Sequence, residues 1–252
     1  MKSMINIMMR DFKGLFFTPM FYFIASLCAF LLSYSYVRNL IDFAYSSGVP
    51  SAGIKYSLHQ IVVVSHISIT NIILIFAVPA ITMKLISEEK KSRTYDLLLT
   101  SPVTSTQIVA GKFFGGLCAS LFIVFISFLY PLGSLLFADI DLGLLLSSYI
   151  GISLVCAAYV AIGLFCSSLS SSIIASVIMG VVFNLALWFL SQGTVYSESD
   201  LLVSIMDHMS IGDHLFSFVK GALKFSSIVY FISACCLFVF LSGRVIESSR
   251  WR

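Results

Sequence analysis

The residues best suited to chemistry lie in one stretch, ISEEKKSRTYDLLLTSPVTSTQIVAGK, from Ile86 to Lys112. Glu88 and Glu89 stand beside Lys90, Lys91 and Arg93, and an apolar segment, Leu97, Leu98 and Leu99, runs into Pro102. Phosphate chemistry would need a hydroxyl beside a Gly-Lys pair, but Gly111-Lys112 is followed by Phe113, so no phosphate loop forms. Hydrolytic signatures such as HExxH, CxxC or GxSxG do not occur. Asp207-His208 and Asp213-His214 repeat at a spacing of six. Neighbours on a helical face are three or four apart, so these pairs do not converge on a metal. His59 and His66 open a long apolar run, and a polar group inside such a run turns toward other helices. No catalytic residue, metal site or cofactor is expected in this chain. The charged stretch therefore calls for a mechanical or binding explanation.

What must position it is a membrane protein. The chain is 59% apolar and only 11% charged, which excludes an ordinary soluble fold. Stretches free of Asp, Glu, Lys and Arg run from Gly14 to Val37, Tyr56 to Met83, Phe113 to Ala138, Leu142 to Ser197 and Phe225 to Gly243. A helix needs roughly 20 apolar residues to cross a bilayer, and the fourth stretch is long enough for two crossings. Its small, polar middle, Cys166 to Ser172, is a place to turn. The expectation is an all-α integral membrane protein with six spans, near 19–37, 61–86, 113–137, 142–166, 173–190 and 226–243. Continuous apolarity, rather than alternation, argues against a transmembrane barrel. Residues 1–18 read as an amphipathic helix, with Pro19 opening the first span.

Six spans put both termini on one side, and basic residues choose the side. With the termini cytoplasmic, Lys2, Arg10, Lys13, Lys84, Lys90, Lys91, Arg93, Lys112, Arg244, Arg250 and Arg252 lie inside, eleven of the fifteen Lys and Arg. The net charge of +3 then speaks of orientation, not of nucleic acid. Residues 87–110 become a cytoplasmic segment and 191–225 an extracytoplasmic one. In the latter, Leu215, Phe216, Val219, Ala222 and Leu223 recur at helical spacing, which predicts a short amphipathic helix over 213–224 in the membrane interface. The six cysteines fall within spans and imply no disulfide framework.

Glu88 and Glu89 come at the C-terminal end of the second span, where acidic groups oppose the helix dipole. Local pairing would join Glu89 to Arg93, and Glu88 to Lys91 or Lys84, each for only about 0.3–0.5 kcal/mol. A broken local rule also marks functional sites. From Arg93 to Pro102 the chain is too short and too bounded to span. Thr104 and Gln107 then fit a capping box that opens the next helix. The expectation is a short helix at the cytoplasmic face with an apolar ridge, a shape used in helix-in-groove recognition.

With its acidic pair, its T-x-x-L-L-L-T-x-P core from Thr94 to Pro102 and its Gly-Lys step into the next helix, this stretch resembles the characteristic segment of ABC-2 type transporter permeases. The likeness is to the gliding-motility-associated branch in particular. DHLFSFVKGALKFSSIVYF, from Asp213 to Phe231, is similar to that family's extracytoplasmic segment. The resemblance implies an ABC-2, type V exporter-like permease fold and a bacterial cytoplasmic-membrane location. It implies a coupling helix, carried here by Arg93, Thr94, Tyr95, Leu97, Leu98, Leu99, Thr100 and Pro102, that docks on a separate ATPase. Glu88 and Glu89 would be gate-side charges. ATP and Mg²⁺ would sit on two copies of that ATPase partner, and a second permease subunit, the same or related, would complete the pathway. Two other readings fit the residues: a scaffold or force-transducing subunit of an ABC ATPase complex, and a self-contained secondary transporter or channel.

Overall fold

A computed structural model describes residues 2–48, 58–95, 103–137, 141–190 and 200–249. Among these the chain is helical and has no strand. Helix α1 is Lys2–Phe16 and α2 is Pro19–Gly48. A π-helical turn, His59–Val63, leads into α3, Val64–Lys91, and α4 is Ser105–Ser134. Then come α5, Leu142–Leu169, and α6, Ile173–Phe189. Two short helices, α7 (Asp200–Met209) and α8 (Ile211–Val219), precede α9, Phe225–Ser249. Five helical segments are long and apolar enough to cross a membrane: Pro19–Tyr45, His59–Lys91, Ser105–Ser134, Leu142–Leu169 and Phe225–Ser249. The remaining apolar run, Ile173–Phe189, forms a shorter helix of 17 residues.

Several helices outrun the apolar stretches that announce them. α2 continues past residue 37 to Gly48, and α4 begins at Ser105 rather than near 113. Hydropathy marks what lipid accepts, whereas a helix runs until a stop or cap ends it. α4 starts where Thr104 accepts a bond from the Gln107 amide, 3.4 Å. α5 starts where Asp141 accepts from Gly143 at 2.8 Å, and α6 where Ser172 accepts from Ala175 at 3.5 Å.

α5 lies at the centre, packed by α3, α4, α6, α8 and α9. Small residues set the distances. Gly163 of α5 faces Thr82 of α3 so closely that any Cβ would strike the Thr82 hydroxyl. One turn on, Ser167 locks the same pair of helices: its hydroxyl accepts from the amides of Ile86 and Ser87, at 3.2 and 3.0 Å. The Ser87 hydroxyl donates to the Ser167 carbonyl at 3.0 Å. This fastens α3 to α5 just before the acidic pair Glu88-Glu89.

The segment before α9 departs from the sequence expectation. Among its described residues it holds two helices, and α8 ends at Val219, short of residue 224, because Gly221 turns the chain left-handed at φ 78°. Ala222 and Leu223 lie beyond the helix and are exposed. Nor does α8 lie against lipid alone: Ile211, Leu215, Phe218 and Val219 are buried. Gly151 of α5 makes the seat, since a Cβ there would fall 2.6 Å from the Phe218 Cβ. Ser147 donates to the Phe218 carbonyl at 2.6 Å, and His59 Nε2 lies 3.1 Å from the Val219 carbonyl.

Candidate functional site

On α1 the buried residues Ile7 and Leu15 are eight apart, and Asp11 falls midway between them on the same face. A carboxylate in an apolar stripe needs a partner. α1 lies along α4, where Gly111 faces Ile7 and the Met4 carbonyl, and Gly115 faces the Met8 carbonyl and Asp11. That packing brings Asp11 to Lys112, whose side chain is 1% exposed.

Lys112 Nζ lies 3.1 Å from Asp11 Oδ2 and 2.8 Å from Glu89 Oε2, and it also donates to the Leu85 carbonyl at 2.5 Å. The ammonium donates to the Asp11 carboxylate and the Leu85 carbonyl, and Glu89 Oε2 is held beside it as an ion pair. Arg10 closes the cluster from the solvent side, with Nη2 at 3.0 Å from Glu89 Oε1 and 2.8 Å from Asp11 Oδ1. Burial works to lower the Arg10 pKa, but attraction to Asp11 and then to Glu89 outweighs it, and the net shift is upward. Two cations and two anions from α1, α3 and α4 therefore form one neutral clasp. Glu89 reaches Arg10 across 79 positions of sequence.

The local pairing expected for these acids does not form. Glu89 turns to Lys112 and Arg10, not to Arg93. Glu88 is exposed and makes no ion pair among the described residues. Lys90 donates to the Ser168 carbonyl and sits 5.3 Å above the ring of Tyr95, which is buried.

Arg93 does something else. It adopts φ 57°, and among the described residues it is the only non-glycine at positive φ. Its amide bonds to the Lys90 carbonyl at 3.3 Å, and the Thr94 amide to the Glu89 carbonyl at 3.1 Å. That is the Schellman stop of a helix, normally built on glycine. Ser92 reinforces it, donating to the Glu88 carbonyl at 2.9 Å and lying 2.9 Å from the Thr94 hydroxyl. So α3 is ended abruptly by hydrogen bonds, immediately before the segment that leads to α4. Leu97, Leu98, Leu99, Thr100 and Pro102 lie outside the described residues.

Sequence reasoning flagged Glu89 but missed Arg10, Asp11 and Lys112 as its neighbours. The signal was present. Asp11 interrupts the Ile7–Leu15 stripe, and Lys112 shares a helical face with Ile108 and Gly115.

A second polar group lies wholly within the bundle. His66 Nε2 is 3.1 Å from the Ser127 carbonyl and 2.9 Å from its hydroxyl. Thr70 and Tyr149 meet the same serine hydroxyl at 2.8 and 3.1 Å. All four residues are buried, joining α3, α4 and α5 with neutral hydrogen bonds. The Asp-His pairs do not combine: His214 Nε2 meets the His208 carbonyl at 3.2 Å, and its Nδ1 lies 2.9 Å from the Ser227 hydroxyl. Among the described residues no three His, Cys, Asp or Glu are placed to hold a metal ion.

Long apolar helices fastened by buried small and hydroxyl residues define a multi-pass helical membrane protein. Residues 55–244 match the model of the ABC-2 family transporter proteins, and the chain belongs to that family. It is thus a membrane component of a transporter, and the match begins after α1 and α2. No curated protein matches the chain.

Proposed function

We propose that this chain is the permease subunit of an ATP-driven ABC-2 exporter in a bacterial cytoplasmic membrane. It has six spans and cytoplasmic termini, works with a second permease subunit, and takes its energy from a separate ATPase that docks on residues 93–102. The observation that carries this reading, beyond family membership, is how that segment is bracketed. A Schellman stop at Arg93 ends α3 and a cap at Thr104 begins α4. Glu89 and Lys112, one close to each bracket, are joined at 2.8 Å.

A force applied between the brackets reaches α3 and α4 as a unit, because the ion pair resists their separation. Asp11 and Arg10 make α1 part of the same body. From α3 the displacement passes to α5 through the Ser87–Ser167 bonds. The low-dielectric setting makes the clasp stiff, since an uncompensated charge there is costly. Glu88 and Glu89 differ in role: Glu89 couples helices, and Glu88 faces outward.

The test is co-purification in mild detergent, followed by ATP turnover in liposomes. Leu98→Asp would place an unpaired carboxylate in the partner's groove and cost several kcal/mol of binding. The expected result is a folded protein that has lost a nucleotide-binding partner. A folded Leu98→Asp protein that keeps its partner and wild-type ATP turnover would refute docking on this segment.

A further inference from the structure

Pro79 stands inside α3 and has no amide hydrogen, so the carbonyl of Ile75, one turn earlier, lacks its helical donor. The replacement comes from another helix. Asn184 Nδ2 of α6 donates to the Ile75 carbonyl at 3.5 Å, long for such a bond. One turn before Asn184, Gly180 makes room for the proline ring: a Cβ there would lie 3.0 Å from the Pro79 Cβ. Ser176, Gly180 and Asn184 are the buried residues of α6, spaced four apart on one face. That face is fitted to the break in the hydrogen bonds of α3.

The Asn184 amide is only half used. Its Oδ1 is buried and has no hydrogen-bond partner among the described residues. The same holds for Nδ2 of Asn71, one turn before Ile75 on α3, although Asn71 Oδ1 accepts from the Tyr159 hydroxyl at 3.1 Å. Asn71 and Asn184 are both fully buried, where an unpartnered polar group is costly. One of these groups is an acceptor and the other a donor. Gly180 meets Pro79 and Asn184 meets Ile75, so α3 and α6 run antiparallel, and Asn71 lies one step further along the same line.

We propose that Pro79 is a hinge in α3 and that Asn184 is its two-position latch. In the observed position the amide holds the Ile75 carbonyl and fixes the angle between the two halves of α3. In the second position α6 shifts along α3, Asn184 Oδ1 accepts from Asn71 Nδ2, and the released Ile75 carbonyl lets the halves swing. One hydrogen bond replaces another, so the shift leaves their number unchanged. The latch is argued from α3 and α6 alone and does not depend on ATPase docking.

The test is amide exchange over residues 76–84, read by mass spectrometry on the full chain in lipid nanodiscs. Asn184→Leu removes both positions of the latch, and exchange there should quicken roughly fivefold, the size of one net hydrogen bond. Pro79→Ala restores the amide that the Ile75 carbonyl lacks. Exchange should then slow, and adding Asn184→Leu should change it less than about twofold. The paired variant Asn71→Leu with Tyr159→Phe removes the second position and leaves no hydroxyl unpaired; it should exchange more slowly than wild type. Residues 225–249 of α9 should keep their wild-type rate throughout. Equal quickening by Asn184→Leu with proline or alanine at position 79 would overturn the latch, and so would Asn184→Leu protein that exchanges no faster than wild type. Pro79→Ala protein that exchanges as fast as wild type would overturn the hinge. Quickening that spreads equally to α9 would mean a loosened bundle and overturn both. A paired variant that exchanges as wild type does, or faster, would overturn the second position.

Discussion

Helices α3 and α8 end in the same hydrogen-bonded stop, but on different residues. At the end of α8 the left-handed position is Gly221, with the Gly221 amide 2.9 Å from the Phe218 carbonyl and the Ala222 amide 2.9 Å from that of Ser217. At the end of α3 it is Arg93. Glycine adopts this conformation without strain, whereas an L side chain loses roughly 1–2 kcal/mol. The two neighbourhoods differ in the same sense. α8 is seated by shape and neutral bonds, through Gly151, Ser147 and His59. The end of α3 is held by four charges from three helices. One end is a relaxed seat; the other is a strained stop beside an ionic clasp, the arrangement on which the proposed entry of force at residues 93–102 rests.

The largest effect should come from removing the centre of the clasp. Lys112→Met leaves Asp11 and Glu89 facing each other with Arg10 alone, and breaking a buried pair in this way costs about 3–5 kcal/mol. Unfolding in detergent should shift accordingly. The seat should respond less: Gly151→Ala forces Phe218 aside, an overpacking loss of about 1–3 kcal/mol. Amide exchange should then quicken in α8 and leave α1 unchanged.

The two stops provide the next contrast. Gly221→Ala introduces both a left-handed side chain and a Cβ 2.5 Å from Leu144 Cδ2, so it should destabilise by about 1–2 kcal/mol. Arg93→Gly should do the reverse, gaining about 1 kcal/mol. If both substitutions destabilise, the backbone comparison fails.

The smallest effect is one of pH. Burial first, and then His208 and Lys224, lower the His214 pKa from its ordinary 6.5, against the opposing pull of the His208 carbonyl and Asp213. The unfolded chain binds the proton at higher pH than the folded one. Stability from this contact is therefore complete above 6.5 and is lost as pH falls toward the lowered native value. His214→Gln should flatten that part of the profile, read as amide exchange in α8 and the start of α9.

Much of this was legible in the chain. Composition gives an all-helical membrane protein, and Thr104 announces the cap of α4. The Glu88-Glu89 pair announces an anomaly. What stayed hidden is its resolution. Helical spacing offers Glu89 only neighbours within one turn, and Arg10 and Lys112 come from other helices. The return bond of the capping box is also missing: Gln107 does not reach back to Thr104 among the described residues. Arg93 shows the same limit. Nothing in an arginine signals a left-handed stop, and the conformation follows from the bonds its neighbours make.

Whether Glu89 belongs to a tertiary clasp or to its own helix is decided most directly by paired double-mutant cycles on unfolding free energy. Glu89→Gln is combined with Lys112→Met in one cycle and with Arg93→Gly in the other. The clasp requires a coupling of about 1–3 kcal/mol between Glu89 and Lys112, and additivity within about 0.5 kcal/mol between Glu89 and Arg93. Coupling to Arg93 with additivity at Lys112 would contradict the clasp, and with it the proposed route by which an ATPase docked on residues 93–102 would move the bundle.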